Sequence, residues 1–158
     1  MPPQTLFDIS AVDTQKLVVT RDEIYQVNPH RYEFALLHGF CHVNWDAMEM
    51  AAIMELTQDD FWVRGHIPGR PLLPGVLMIE AAAQMVSYFT KVHAKEPNFV
   101  GFGAVDDVKF RGQVVPGDRM LLLGKMTELR PHRRAVAQTQ GFVNGKMVYE
   151  GTITGVMM

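Results

Sequence analysis

Gly65-His66-Ile67-Pro68-Gly69-Arg70-Pro71-Leu72-Leu73-Pro74-Gly75-Val76-Leu77-Met78-Ile79-Glu80-Ala81-Ala82-Ala83-Gln84 is the stretch on which the fold turns. Residues 65–75 are punctuated by Pro68, Gly69, Pro71 and Pro74 and have no regular period. After Pro74 the breakers stop. The run from Gly75 to about His93 is apolar nearly all round, which predicts a helix buried on most of its faces. Ala81, Ala82 and Ala83 would let a sheet approach its axis closely.

The flanking segments supply that sheet. C-terminal to the helix, Val115-Pro116-Gly117-Asp118 and Arg130-Pro131-His132 are turn signals, and Asn144-Gly145 sits between two β-prone runs as a two-residue hairpin. On the N-terminal side, Met48, Met50, Ala52, Met54 and Leu56 alternate with Glu49, Ala51, Ile53 and Glu55, the period of a strand. The same residue types favour helix by propensity. We read residues 34–57 as two strands with Trp45-Asp46 near their turn. Thr20-Arg21-Asp22-Glu23 has capping-box spacing and predicts a short helix, ended by Asn28-Pro29. Residues 1–19 read as a loosely held arm. The expected architecture is a single α+β domain over residues 1–158, with about five to seven antiparallel strands around one central helix.

Composition narrows the function classes. Lys and Arg total 15 against 17 Asp and Glu, a formal charge of −2, so no overall field gathers nucleic acid or an anionic membrane. One cysteine, Cys41, excludes an intrachain disulfide framework and a multi-cysteine zinc site. Residues 72–89 are the most apolar long stretch, but Pro74, Glu80 and Gln84 interrupt it, against a membrane span. Met1–Ser10 lacks a basic start and an apolar run, so the cytoplasm is the expected compartment.

Within residues 65–84 three chemical features coincide. His66 sits in a proline-stiffened loop. Pro74-Gly75 opens the helix, leaving the N–H groups of Gly75 and Val76 outside the helical ladder at the positive end of the dipole. Glu80 lies about one and a half turns into an apolar helix, where a carboxyl is costly unless paired or protonated. Gln84, at i+4 on the same face, is placed to hydrogen-bond and orient it.

This segment resembles the signature of the (3R)-hydroxyacyl-acyl-carrier-protein dehydratases of type II fatty-acid synthesis, with Ile67 where Phe is usual. Asn28-Pro29-His30-Arg31-Tyr32, Val105–Arg111 and Val114–Asp118 are similar to further family segments, so the resemblance covers about residues 20–155. It implies the hot-dog fold, an antiparallel sheet wrapped around one long central helix and dimerised edge to edge. It implies His66 as catalytic base, Glu80 as catalytic acid, and Gly75 as the residue whose N–H polarises the thioester carbonyl. Val76, Gln84 and Phe102 are the expected substrate-binding neighbours. It also implies a site shared between two subunits, a homodimer or trimer of dimers, acyl carrier protein with its phosphopantetheine-linked chain as partner, and no metal or redox cofactor. The sequence departs from the pattern at Glu33, Phe61, Trp62 and Gln113, and Gly101, between Phe99 and Phe102, falls where many relatives carry a gating Tyr.

Other constellations are weaker. His38, Cys41 and His42 could share a strand face, but no acidic ligand or second cysteine lies nearby in sequence. Arg130-Pro131-His132-Arg133-Arg134 is a basic turn, either a solvated hairpin tip or a dock for an acidic carrier. The competing functions are a hot-dog acyl thioesterase, which releases free thiol, and a non-catalytic acyl-thioester binder.

Overall fold

The computed structural model describes residues 4–158. After Val19–Thr20 (β1) comes the helix Arg21–Tyr25 (α1), capped by Thr20, whose Oγ1 accepts from the N–H of Glu23 as the capping-box spacing predicts. Gly39–Asn44 (β2) and Glu49–Glu55 (β3) form the predicted strand pair, with Trp45 and Asp46 in their turn. The long helix Gly75–His93 (α2) follows the 65–74 loop. Val100–Phe110 (β4), Arg119–Arg130 (β5), Arg134–Val143 (β6) and Lys146–Met157 (β7) complete the chain, with Asn144-Gly145 turning β6 into β7.

All seven strands lie in one antiparallel sheet of order β1-β2-β3-β5-β6-β7-β4, which wraps α2. This is the hot-dog arrangement. The helix side of the sheet carries the main core, in which Ala81, Ala82, Met85 and Phe89 are fully buried. Burying a Met or Phe side chain is worth roughly 1.5–3 kcal/mol each relative to leaving it exposed. Close approach is supplied by the alanines on the helix and by Gly124 on β5. A Cβ at Gly124 would stand 2.9 Å from Met85 Cε and 3.1 Å from Met50 Cε.

β3 shows why its sequence resisted a simple reading. Met50, Ala52 and Met54 face α2, while Ala51 and Ile53 belong to a second cluster on the opposite face, with Phe7, Cys41, Leu123 and Phe142. A strand buried on both faces has no polar side, so alternation and helix propensity compete. The cover on that second face is the arm. It is held more firmly than its composition predicts: Phe7 is buried, Gln140 Oε1 accepts from the Leu6 N–H, and Gln140 Nε2 donates to the Gln4 carbonyl. These contacts tie residues 4–7 to the sheet, and residues 1–3 lie outside the described part of the chain.

β4 closes one edge of the sheet. Among the described residues its outer side is unpaired, and Phe102, Val105 and Phe110 along its 11 residues are exposed.

Candidate active site

The mouth of α2 forms as the Pro-Gly step predicts. Pro74 caps the helix without a side-chain hydrogen bond, and its carbonyl accepts from the Leu77 N–H at 2.9 Å. Among the described residues the N–H groups of Gly75 and Val76 have no acceptor, so two donors remain at the positive helix end. A Cβ on Gly75 would stand 2.9 Å from the ring of Phe110, so this half-exposed ring would have to shift to admit a side chain at the helix start.

His66 lies in the loop before the helix and is exposed. The loop is closed by a reciprocal pair of contacts: the Leu72 N–H donates to the His66 carbonyl at 2.8 Å, and His66 Nδ1 lies 2.8 Å from the Leu72 carbonyl. A carbonyl oxygen only accepts, so Nδ1 carries a ring proton, and Nε2 makes no hydrogen bond among the described residues. Loop and hydrogen bond together produce an exposed imidazole with Nε2 uncommitted.

Glu80 is about a quarter exposed. The predicted i+4 bond is present, with Gln84 Nε2 donating to Glu80 Oε1 at 2.9 Å. Gln84 is itself fixed. Its Nε2 also donates to the Phe34 carbonyl at 2.7 Å, and its Oε1 accepts from the Leu36 N–H at 3.1 Å. The Leu36 bond sets the orientation of the amide, so its NH2 faces Glu80 and its oxygen does not. Oε1 of Glu80 is therefore an acceptor, and Oε2 makes no hydrogen bond among the described residues.

Glu80, Gln84 and Phe102 line one cavity of about 180 Å³, together with His30, Ser87 and Phe99. His66, Gly75 and Val76 are not part of its lining, and no hydrogen bond or ion pair joins His66 to Glu80 among the described residues. A roomier cavity of about 280 Å³, between Arg21 and the 59–62 loop, holds none of the predicted site residues. A Cβ on Gly101 would collide with Met158 Cε, so Met158 fills the space beside that glycine.

His30 is the residue that the sequence reading left without a role. Its Nε2 lies 3.5 Å from Glu80 Oε1. Burial pushes its pKa below the ordinary imidazole value. The Glu80 carboxylate acts against that shift and Arg31 adds to it. Its signal was the Asn28-Pro29-His30-Arg31 run, in which Asn28 Nδ2 donates to the Gln84 carbonyl and Arg31 Nη1 donates to the carbonyls of Asn28 and His30. These bonds fasten the loop that carries the imidazole to α2.

His38, Cys41 and His42 do not converge. His38 Nδ1 accepts from the Glu55 N–H, and Cys41 Sγ points at the Ala51 carbonyl. Burial pushes the Cys41 thiol up. In the basic turn, Glu128 pairs with Arg130 and Arg134, and the buried Glu96 accepts from His132.

Similar architectures occur in several solved structures. The dehydratase heterocomplex ApeI:P from Xenorhabdus doucetiae matches with a TM-score of 0.72 at 14% identity, covering 85% of this chain and 90% of that one. A hypothetical thioesterase with coenzyme A from Streptococcus pneumoniae matches with a TM-score of 0.62 at 7% identity, covering 88% and 97%. A sigma28-regulated virulence protein from Campylobacter jejuni matches with a TM-score of 0.61 at 15% identity, covering 87% and 88%. At such identities the likeness is one of fold, shared by proteins named for different activities. Sequence is more specific: the FabA-like domain model matches residues 28–152, a span containing the helix mouth, His66, Glu80, Gln84 and β4, and the chain belongs to the FabA-like domain family.

Proposed function

We propose that this chain dehydrates (3R)-3-hydroxyacyl thioesters carried on acyl carrier protein, giving trans-2-enoyl thioesters for fatty-acid biosynthesis in the cytoplasm. The observation that carries the reading is the complementary state of two side chains. His66 has a free Nε2 because Leu72 accepts from Nδ1, and Glu80 has a free Oε2 because Gln84 occupies Oε1. One is built as a base and the other as an acid.

Since the two do not meet within a chain, the reading joins His66 of one subunit to Glu80 of another, in a homodimer or a trimer of such dimers formed through β4. An unpaired edge with Phe102, Val105 and Phe110 exposed is a surface that single chains seldom leave in water. The thioester oxygen accepts from the Gly75 and Val76 N–H groups. Losing one such donor typically costs about 3 kcal/mol of transition-state stabilisation. His66 Nε2 takes the C2 proton and the developing enolate is held at the helix mouth. Glu80 then gives its Oε2 proton to the C3 hydroxyl. The C3–O bond breaks, the C2–C3 double bond forms, and water leaves. His66 ends protonated and Glu80 ionised, and the reverse hydration restores both.

The test is hydration of a trans-2-enoyl thioester, with thiol release followed in parallel. His66→Ala and Glu80→Gln should each lose turnover while keeping the fold. Co-refolding the two variants should restore about a quarter of wild-type activity, because half the dimers are mixed and each carries one intact site. No recovery on mixing refutes the shared site. Thiol release without hydration would make the chain a thioesterase. Acyl binding without turnover, unchanged by His66→Ala, would make it a binder.

A further inference from the structure

We propose that His30 is a positioning residue for Glu80: as a neutral imidazole it donates its Nε2–H to Oε1 beside the Gln84 amide, leaving Oε2 as the oxygen that carries the proton given to the leaving hydroxyl. The inference rests on the dehydratase reading and adds a third side chain to it.

Three observations converge. His30 lines the same cavity as Glu80, with Nε2 at 3.5 Å from Oε1, a separation that catalytic contacts commonly close when substrate binds. Its Nδ1 is buried and has no hydrogen-bond partner among the described residues. A bare ring nitrogen tolerates that burial far better than an N–H would, since an unpaired buried donor forfeits its bond to water. Finally, the backbone around His30 is anchored. Arg31 bonds the carbonyls of Tyr25, Asn28 and His30, and Asn28 bonds the Gln84 carbonyl.

The consequence is a rule for where one proton sits. A His–Glu pair holding a single proton can exist as neutral imidazole with carboxylic acid, or as imidazolium with carboxylate. The second form puts an N–H on the orphaned Nδ1, so the site favours the first. Of these two forms only the first leaves the proton on Glu80, where dehydration needs it. The charged and titratable groups facing His30 are few: Glu80 from α2 and Arg31 from its own loop. The other cavity walls, Ser87 of α2, Phe99, and Thr154 of β7, carry no charge.

The tautomer is read directly by nitrogen NMR of histidine-labelled wild-type protein at about pH 7, where a free imidazole is partly charged. The expected signature is a protonated Nε2 and a bare Nδ1 on His30. An imidazolium or an Nδ1–H tautomer overturns the proposal whatever the activity. Kinetics give the second readout. His30→Gln keeps a donor near the Nε2 position and should hold kcat within about threefold, whereas His30→Phe should lower kcat by about tenfold or more with KM nearly unchanged. Wild-type kcat in His30→Phe also overturns the proposal. Absence of any hydration by the wild type would instead refute the dehydratase reading, leaving the tautomer result to stand by itself.

Discussion

Gln84 is the side chain through which the fold acts on the proposed acid, so Gln84→Leu is the most informative single change. Leucine preserves much of the volume and removes three hydrogen bonds at once, to Glu80 Oε1, the Phe34 carbonyl and the Leu36 N–H. Each is worth about 0.5–1.5 kcal/mol net, and a buried group left unpaired costs more. Phe34 is exposed, so its carbonyl regains water, whereas the Leu36 N–H is only partly able to. The expected loss is about 2–3 kcal/mol, which for a chain of this size lowers Tm by roughly 5–10 °C. Activity should fall further than stability alone requires. With Oε1 released, either oxygen of Glu80 can carry the proton and the carboxyl turns freely, a misplacement that costs up to about a hundredfold in kcat. Gln84→Glu is the control. It keeps the shape and the bond from Leu36 but turns a carboxyl oxygen towards Glu80 and the Phe34 carbonyl, so it should lose activity together with some stability. Thermal melts followed by circular dichroism and enoyl-thioester hydration on the folded variants measure both effects. If Gln84→Leu melts and turns over like the wild type, the orienting role of Gln84 is wrong, and so is the assignment of Oε2 as the proton-bearing oxygen.

Gly75→Ala should destabilise the helix start by about 1–3 kcal/mol through overpacking against Phe110, and pairing it with Phe110→Ala should recover most of that loss in a denaturant titration. The Asn98 N–H, with His132 beside it, holds the Glu96 carboxyl below the usual carboxylate range. Folding therefore favours the ionised form. That stability is present above the ordinary glutamate value and is lost as pH falls through the lower folded value, so the stability gap between wild type and Glu96→Gln should close in acid melts. If the basic turn docks the carrier, Arg133→Glu should raise KM for a carrier-linked substrate and leave a coenzyme A substrate unaffected, with the wild-type effect weakening in salt.

Elements whose signals are local could be read directly from the residues. Pro74-Gly75 with an unbroken apolar run specified α2, Thr20 with Glu23 specified its neighbour α1, and Asn144-Gly145 specified a hairpin, because caps, breakers and turn residues act within a few residues of themselves. The sequence also placed Gln84 on the face of Glu80, since helix geometry alone sets an i+4 contact. Tertiary structure decided the rest. β3 is apolar on both faces because an arm 40 residues earlier covers one of them, and propensity carries no record of that cover. The Phe110 ring meets Gly75 from 35 positions away, and the loop carrying His30 reaches Glu80 while Asn28 ties it to α2. Contacts between distant segments depend on the whole path of the chain, so a window of sequence names the chemical groups while the fold chooses which of them meet.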